Sequence, residues 1–155
     1  MKNKTILIFI LFITVNLFGQ KKLSFEFDYA QFAYDSTSNY VELYFSFDQT
    51  GLTLQKGDTS IITAGRIYLN IKDTLNSSII DREFRASSQY KENSETKLLV
   101  TKMAVALKPG LYTIKIIAKD DNDTTKVKTI EEKIKVTLFL IDEIRVSDIQ
   151  LARTI

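Results

Sequence analysis

From Leu23 onward, apolar side chains recur at every second position through much of the chain, and a two-residue period is one that only a strand can bury on a single face. LSFEFDY sets Leu23, Phe25, Phe27 and Tyr29 on one side. YVELYFSF turns Val41, Leu43, Phe45 and Phe47 inward and Tyr40, Glu42 and Tyr44 outward. RIYLNIK alternates Ile67, Leu69 and Ile71, and GLYTIKIIAKD aligns Tyr112, Ile114, Ile116 and Ala118. Composition leans the same way, because Phe, Tyr, Ile, Val and Thr are abundant and pack well on a pleated, half-buried surface. Inside the first segment the aromatic parity slips, with Phe32 and Tyr34 carrying the pattern on even numbers. A one-residue slip in a continuing strand predicts a β-bulge.

Turn residues punctuate these runs. Asp35 to Asn39, Gly51, Gly57-Asp58, Asp73 to Ser78, Lys91 to Glu95, Pro109-Gly110 and Asp120 to Asp123 each separate two apolar segments. IIDREFRASSQY is more charged than its neighbours, which places it at a sheet edge, where charge discourages pairing with another chain. With about seven or eight short strands and no amphipathic helix between them, the reading is all-β, an antiparallel immunoglobulin or fibronectin III-like β-sandwich. The LKPGLYTIKI stretch fits it, since a turn feeding a strand with an early Tyr is common there. Two roles stay open for Tyr112, a hydroxyl-anchored corner or plain core burial. Two also stay open for the outward Tyr40 and Tyr44, an interaction patch or cross-strand packing.

The first residues read as an address. MKNKTILIFILFITVNLFGQ has Lys2 and Lys4, then an apolar run from Ile6 to Phe18, with Gly19 before Gln20. That is the layout of a cleaved secretory signal peptide over residues 1–19, with an uncleaved membrane anchor as the alternative; the apolar run is shorter than a bilayer span needs, and Leu17 is bulky for the third position before the cut. The expectation is therefore export to the periplasm or beyond, with no transmembrane span left after cleavage. Loss of Lys2 and Lys4 brings the basic count from 21 level with the 19 acidic residues, so no nucleic-acid partner is expected. Cysteine is absent, so no disulfide supports the domain at 20–141.

Histidine is absent as well, which removes Ser-His-Asp and Cys-His catalysis and the usual zinc sites. There is no phosphate-binding glycine loop. Glu131-Glu132 and Asp142-Glu143 are sequence neighbours on strand-like segments, so each pair points to opposite faces and reads as solvated surface. No enzymatic activity and no cofactor are expected. The acidic run Asp120, Asp121, Asn122, Asp123 is the one metal candidate, for calcium held by loop oxygens. It lacks the spacing of a dedicated calcium loop, and Asp and Asn are also ordinary hairpin residues. Asn76 and Asn122 match the N-glycosylation pattern, uninformative behind a leader of bacterial style.

Three segments then resemble a known family: LSFEFDYAQFAYDSTSNYVELYFSF, LKPGLYTIKIIAKD and the tail VSDIQLARTI are similar to the amino-terminal region of GWxTD-domain proteins of Bacteroidetes-type bacteria. The resemblance implies an envelope compartment and a sandwich architecture, not a reaction. The chain has no Trp, so the name-giving module is absent, and residues 142–155 are expected to be an exit segment toward it. In that segment Ser147 and Gln150 fit a helix capping box, while alternation through Ile144, Val146, Ile149 and Leu151 fits an extended strand. The function expected from these features is a non-catalytic, exported module with an interaction or structural role in the envelope and protein partners there. The alternative is a carbohydrate- or calcium-binding domain using exposed Tyr residues and the Asp120–Asp123 loop.

Overall fold

The computed structural model describes residues 23–57, 59–93 and 97–139. The proposed leader and exit segment, with Asp142-Glu143, lie outside the described residues. Eight strands appear in chain order: β1 (Phe25–Ala33), β2 (Asn39–Asp48), β3 (Gln55–Lys56), β4 (Ile61–Asp73), β5 (Ser78–Gln89), β6 (Leu98–Leu107), β7 (Gly110–Asp120) and β8 (Val127–Val136). They form two antiparallel sheets, one of three strands ordered β1-β2-β6 and one of five in which β4 lies between β5 and β7, β8 follows β7, and the short β3 also pairs with β4. The fold is all-β, as the two-residue period predicts, and no described helix is long and apolar enough to cross a membrane.

The inward residues read from alternation fill the space between the sheets. Phe25, Val41, Leu43, Phe45 and Phe47 from the smaller sheet and Ile67, Leu69, Ile71, Ile114 and Ile116 from the larger are all completely buried. Each such side chain contributes roughly 1.5–3 kcal/mol by leaving water. Aromatic rings join the layers. Phe25 and Phe47 lie 4.8 Å apart between centroids, and Phe84 of β5 meets Phe45 edge-on at 5.5 Å.

One expectation is corrected here. β1 pairs with β2 without interruption from Phe25↔Phe47 to Ala33↔Asn39, so the parity slip is no bulge. Phe32 lies opposite Tyr40 and shares its outer face, and Tyr34 stacks on Tyr40 at 5.7 Å. The even-numbered aromatics therefore belong to a second apolar face, and the core-facing phase of β1 stays odd. The bulge that does occur shifts the β4–β5 register between Ile71 and Lys72. β5 pairs with β4 alone, at the edge its charge suggested.

The β1 and β8 edges meet along one flank, where side chains reach across to main-chain oxygens. Lys128 Nζ donates to the Phe25 carbonyl at 2.6 Å and Gln31 Nε2 to that of Lys135 at 3.0 Å. Asn39, fully buried, donates through Nδ2 to the Thr137 carbonyl. At the turn into β7, the Tyr112 hydroxyl donates to the Lys108 carbonyl at 2.9 Å, while its ring packs on the core. The corner role and core packing thus coincide in one residue. The β4–β5 turn is held by Asp73 and passes through Asn76 in the left-handed region at φ 65, which Asn tolerates better than most residues.

Candidate functional site

Two surfaces emerge, the outer face of the three-stranded sheet and the β7–β8 hairpin. On the first, even-numbered side chains of β2 point away from the core, flanked by even-numbered positions of β1 and β6. Tyr40 lies between Phe32 and Ala106, Glu42 between Ala30 and Ala104, and Tyr44 between Asp28 and Lys102. Phe32, Tyr40 and Tyr44 are half-buried on this face. Tyr34 is 61% exposed, and Val100 and Leu98 further along the face are 61% and 51% exposed.

A polar trio crosses the middle of this face. The Tyr44 hydroxyl donates to Glu42 Oε2, and Lys102 Nζ pairs with Glu42 Oε1 at 3.1 Å. Burial first, and then the Glu42 carboxylate, push the Tyr44 phenol up to about 12. The hydrogen bond from Tyr44, followed by Lys102, holds Glu42 below the usual carboxylate range. Both groups keep their ordinary charge state throughout the neutral range, so the trio is a fixed donor–acceptor platform, with neither group poised to exchange a proton at neutral pH.

The three candidate calcium ligands point to three different sets of partners. Asp120 is wholly buried; Oδ2 accepts from the Thr53 N–H at 2.6 Å and pairs with Lys126 Nζ at 3.4 Å, and Oδ1 accepts from the Asn122 N–H at 2.9 Å. Asp121 turns to the outside of the larger sheet, where Oδ1 meets Arg66 Nη2 at 2.8 Å and Oδ2 meets Arg85 Nε at 2.6 Å. Asp123 caps its own turn by accepting from the N–H and hydroxyl of Thr125. Among the described residues no three acidic side chains converge as a metal-binding group. The hairpin instead fastens the segment after β2, for Lys126 Nζ donates to the Gly51 carbonyl and Asn122 Nδ2 to that of Thr53.

Arg66 and Arg85 sit directly opposite each other on β4 and β5, an arrangement of like charges that is unfavourable unless neutralised. Asp121 bridges them and Glu83 adds a second contact to Arg66 at 2.8 Å. Hydrogen bonds from Arg85 and then Arg66 lower the Asp121 carboxyl from its ordinary value. A carboxylate lowered by folding stabilises the native state fully above its unfolded pKa of about 3.9, and that contribution disappears as pH falls through the lower folded value. We expect Asp121→Asn to lower stability at neutral pH by about 0.5–1 kcal/mol, the scale of partly exposed ion pairs. The deficit relative to the parent should shrink below about pH 4. Thermal melts at stepped pH check this, and parallel curves down to strong acid would contradict it.

The alternation identified Tyr40, Glu42 and Tyr44 as outward, and they are. It missed Phe32 and Tyr34 on the same face, and Arg66, Arg85 and Lys126 as partners of the acidic run; only the charge of the arginines and lysine marked them. Comparison with known proteins finds neither a matching family model nor a matching curated protein.

Proposed function

We propose that the chain is a non-catalytic, exported interaction module of the bacterial envelope, built as an immunoglobulin or fibronectin III-like sandwich. Strand order supports the architecture, with an antiparallel β1-β2-β6 sheet beside a second antiparallel sheet that runs β5-β4-β7-β8 and carries the short β3 on β4. The Tyr112 hydroxyl anchored four residues upstream supports it further. The leader at residues 1–19 and the resemblance to the amino-terminal region of GWxTD-domain proteins support the compartment.

The observation that carries an interaction role is the contrast between the two outer faces. The larger sheet covers its outer face mainly with charged side chains such as Arg66, Glu83, Arg85 and Lys115, with Leu111 and Val127 exposed on β7 and β8, whereas the smaller one exposes Tyr34, Leu98 and Val100 and gathers Phe32, Tyr40 and Tyr44 on the same face. Clustered exposed apolar groups with a polar rim mark contact surfaces. A photo-crosslinking residue placed at Tyr34 or Val100 in cells expressing the whole chain should give a discrete protein adduct, and one placed at the exposed Glu92 in the connection between β5 and β6 should not. Equal labelling from the face and from the connection, or a melting temperature raised by several degrees with calcium or a glycan, would count against the reading, since a ligand of the native state must stabilise it. Replacing Ile10 and Phe12 by Asp should block export, seen by cell fractionation.

A further inference from the structure

The two outer faces carry opposite charge in a matching pattern. On β1, Glu26 and Asp28 project outward and line a surface depression of about 520 Å³ together with Tyr44, Val100 and Lys128, whose Nζ is held by the Phe25 carbonyl at 2.6 Å. Neither carboxylate forms an ion pair among the described residues, while Lys102 on the same face is already held by Glu42. On the outer face of the larger sheet, Lys133 and Lys135 project from β8, and Lys115 projects from β7 opposite Glu131; all three lysines are exposed, and none forms an ion pair among the described residues. Both the acidic pair and the Lys133–Lys135 pair lie on the edge strands of their sheets. Each pair is two residues apart, so both repeat at about 6.6–6.8 Å along a strand. Exposed apolar side chains accompany both, Tyr34 and Val100 on one face and Leu111 on the other.

We propose that the acidic face of the three-stranded sheet docks on the basic face of a second copy of this chain, with Lys133 or Lys135 of the second copy entering the depression beside Glu26 and Asp28. This choice of partner rests on the interaction-module reading above. Pairing like with like, acidic face on acidic face or basic on basic, opposes unpaired charges of one sign and is disfavoured. The contact therefore joins unlike faces, is heterologous, and leaves a complementary face open at each end, so copies stack in a row unless the rotation closes a ring. Three strands of nine or ten residues offer a footprint of roughly 14 Å by 30 Å, small for a permanent interface, so association is weak and salt-sensitive.

Sedimentation velocity on the protein recovered from cells expressing the whole chain tests this. The parent should associate with rising concentration at about 20 mM salt and dissociate at about 500 mM, where exposed charges are screened. Glu26→Lys with Asp28→Lys, and separately Lys133→Glu with Lys135→Glu, should each weaken self-association at least about tenfold while keeping the parent's melting temperature, because surface substitutions of this kind leave folding nearly unchanged. Mixing the two variants should restore association, since the native Lys133–Lys135 pair of one meets the native Glu26–Asp28 pair of the other and the reversed pairs are again of opposite sign. A parent that stays monomeric at low salt overturns the proposal, as does a Lys133→Glu, Lys135→Glu variant that associates like the parent. A monomeric parent that still crosslinks to another protein through Tyr34 removes the second copy as partner and leaves the interaction-module reading standing.

Discussion

Replacing Asp120 by alanine is expected to lower stability by about 3–5 kcal/mol, the cost of breaking a buried ionic contact by removing one partner. For a domain of this size that corresponds to a fall in melting temperature on the order of 10–20 °C. The loss has two parts. The Thr53 and Asn122 N–H groups lose their acceptor in a site where Asp120 is wholly buried, and unmet buried donors cost about 1–3 kcal/mol each. Lys126 loses its counter-charge, at 3.4 Å a looser contact than either amide bond, and keeps the Gly51 carbonyl and the Thr53 hydroxyl as acceptors. The amides should therefore dominate. Asp120→Asn, which still presents an acceptor oxygen, should lose less than half as much as Asp120→Ala. Adding Lys126→Met to Asp120→Ala should recover only a minor share. Denaturant melts of the three variants decide the matter; full recovery in the double variant would make the ion pair the principal contact instead.

The same residue illustrates what the sequence made legible and what it hid. Alternation at positions 41–47, 67–71 and 112–118 reports a local property, which face of a strand each residue occupies, and the core follows it residue by residue. The hairpin nature of Asp120–Asp123 is local as well. Its partners are not. Thr53 is 67 positions from Asp120 and Arg66 is 55 from Asp121, and nothing near the acidic run announces either contact. Composition left calcium as a weaker alternative to ordinary hairpin roles for these carboxylates, because the run lacks the spacing of a dedicated calcium loop. Phe32 and Tyr34 failed for a different reason. Period-two reasoning treats an apolar residue as inward, so a strand that is apolar on both faces imitates a bulge. Only the uninterrupted pairing with β2 reveals that the aromatics lie outside, and that pairing is what places Phe32 beside Tyr40 and Ala106 and completes the candidate contact face.

Gly65 is the other position where a single atom should have a large effect. It stands in the interior of β4, immediately before the RIYLNIK run. A Cβ at that position would lie 2.5–2.7 Å from the Cζ, Cε1 and Cε2 atoms of Phe47 across the core. No φ constraint is involved; the glycine is required by the approach of the ring from the opposite sheet. Ring rotation offers no escape, since Phe47 is completely buried and packs at 4.8 Å against Phe25. Gly65→Ala should therefore destabilise by at least about 1–3 kcal/mol, the range for overpacked cores, and Gly65→Val by more. Shortening the opposing side chain tests the mechanism. Phe47→Leu alone should be destabilising through the cavity it leaves, yet combined with Gly65→Ala the total loss should fall short of the sum of the singles by about 1 kcal/mol or more, because the new methyl group occupies space the ring vacated. Additive losses would mean that the two sites do not share that space, and that β4 tolerates a side chain at 65 by moving away from the three-stranded sheet.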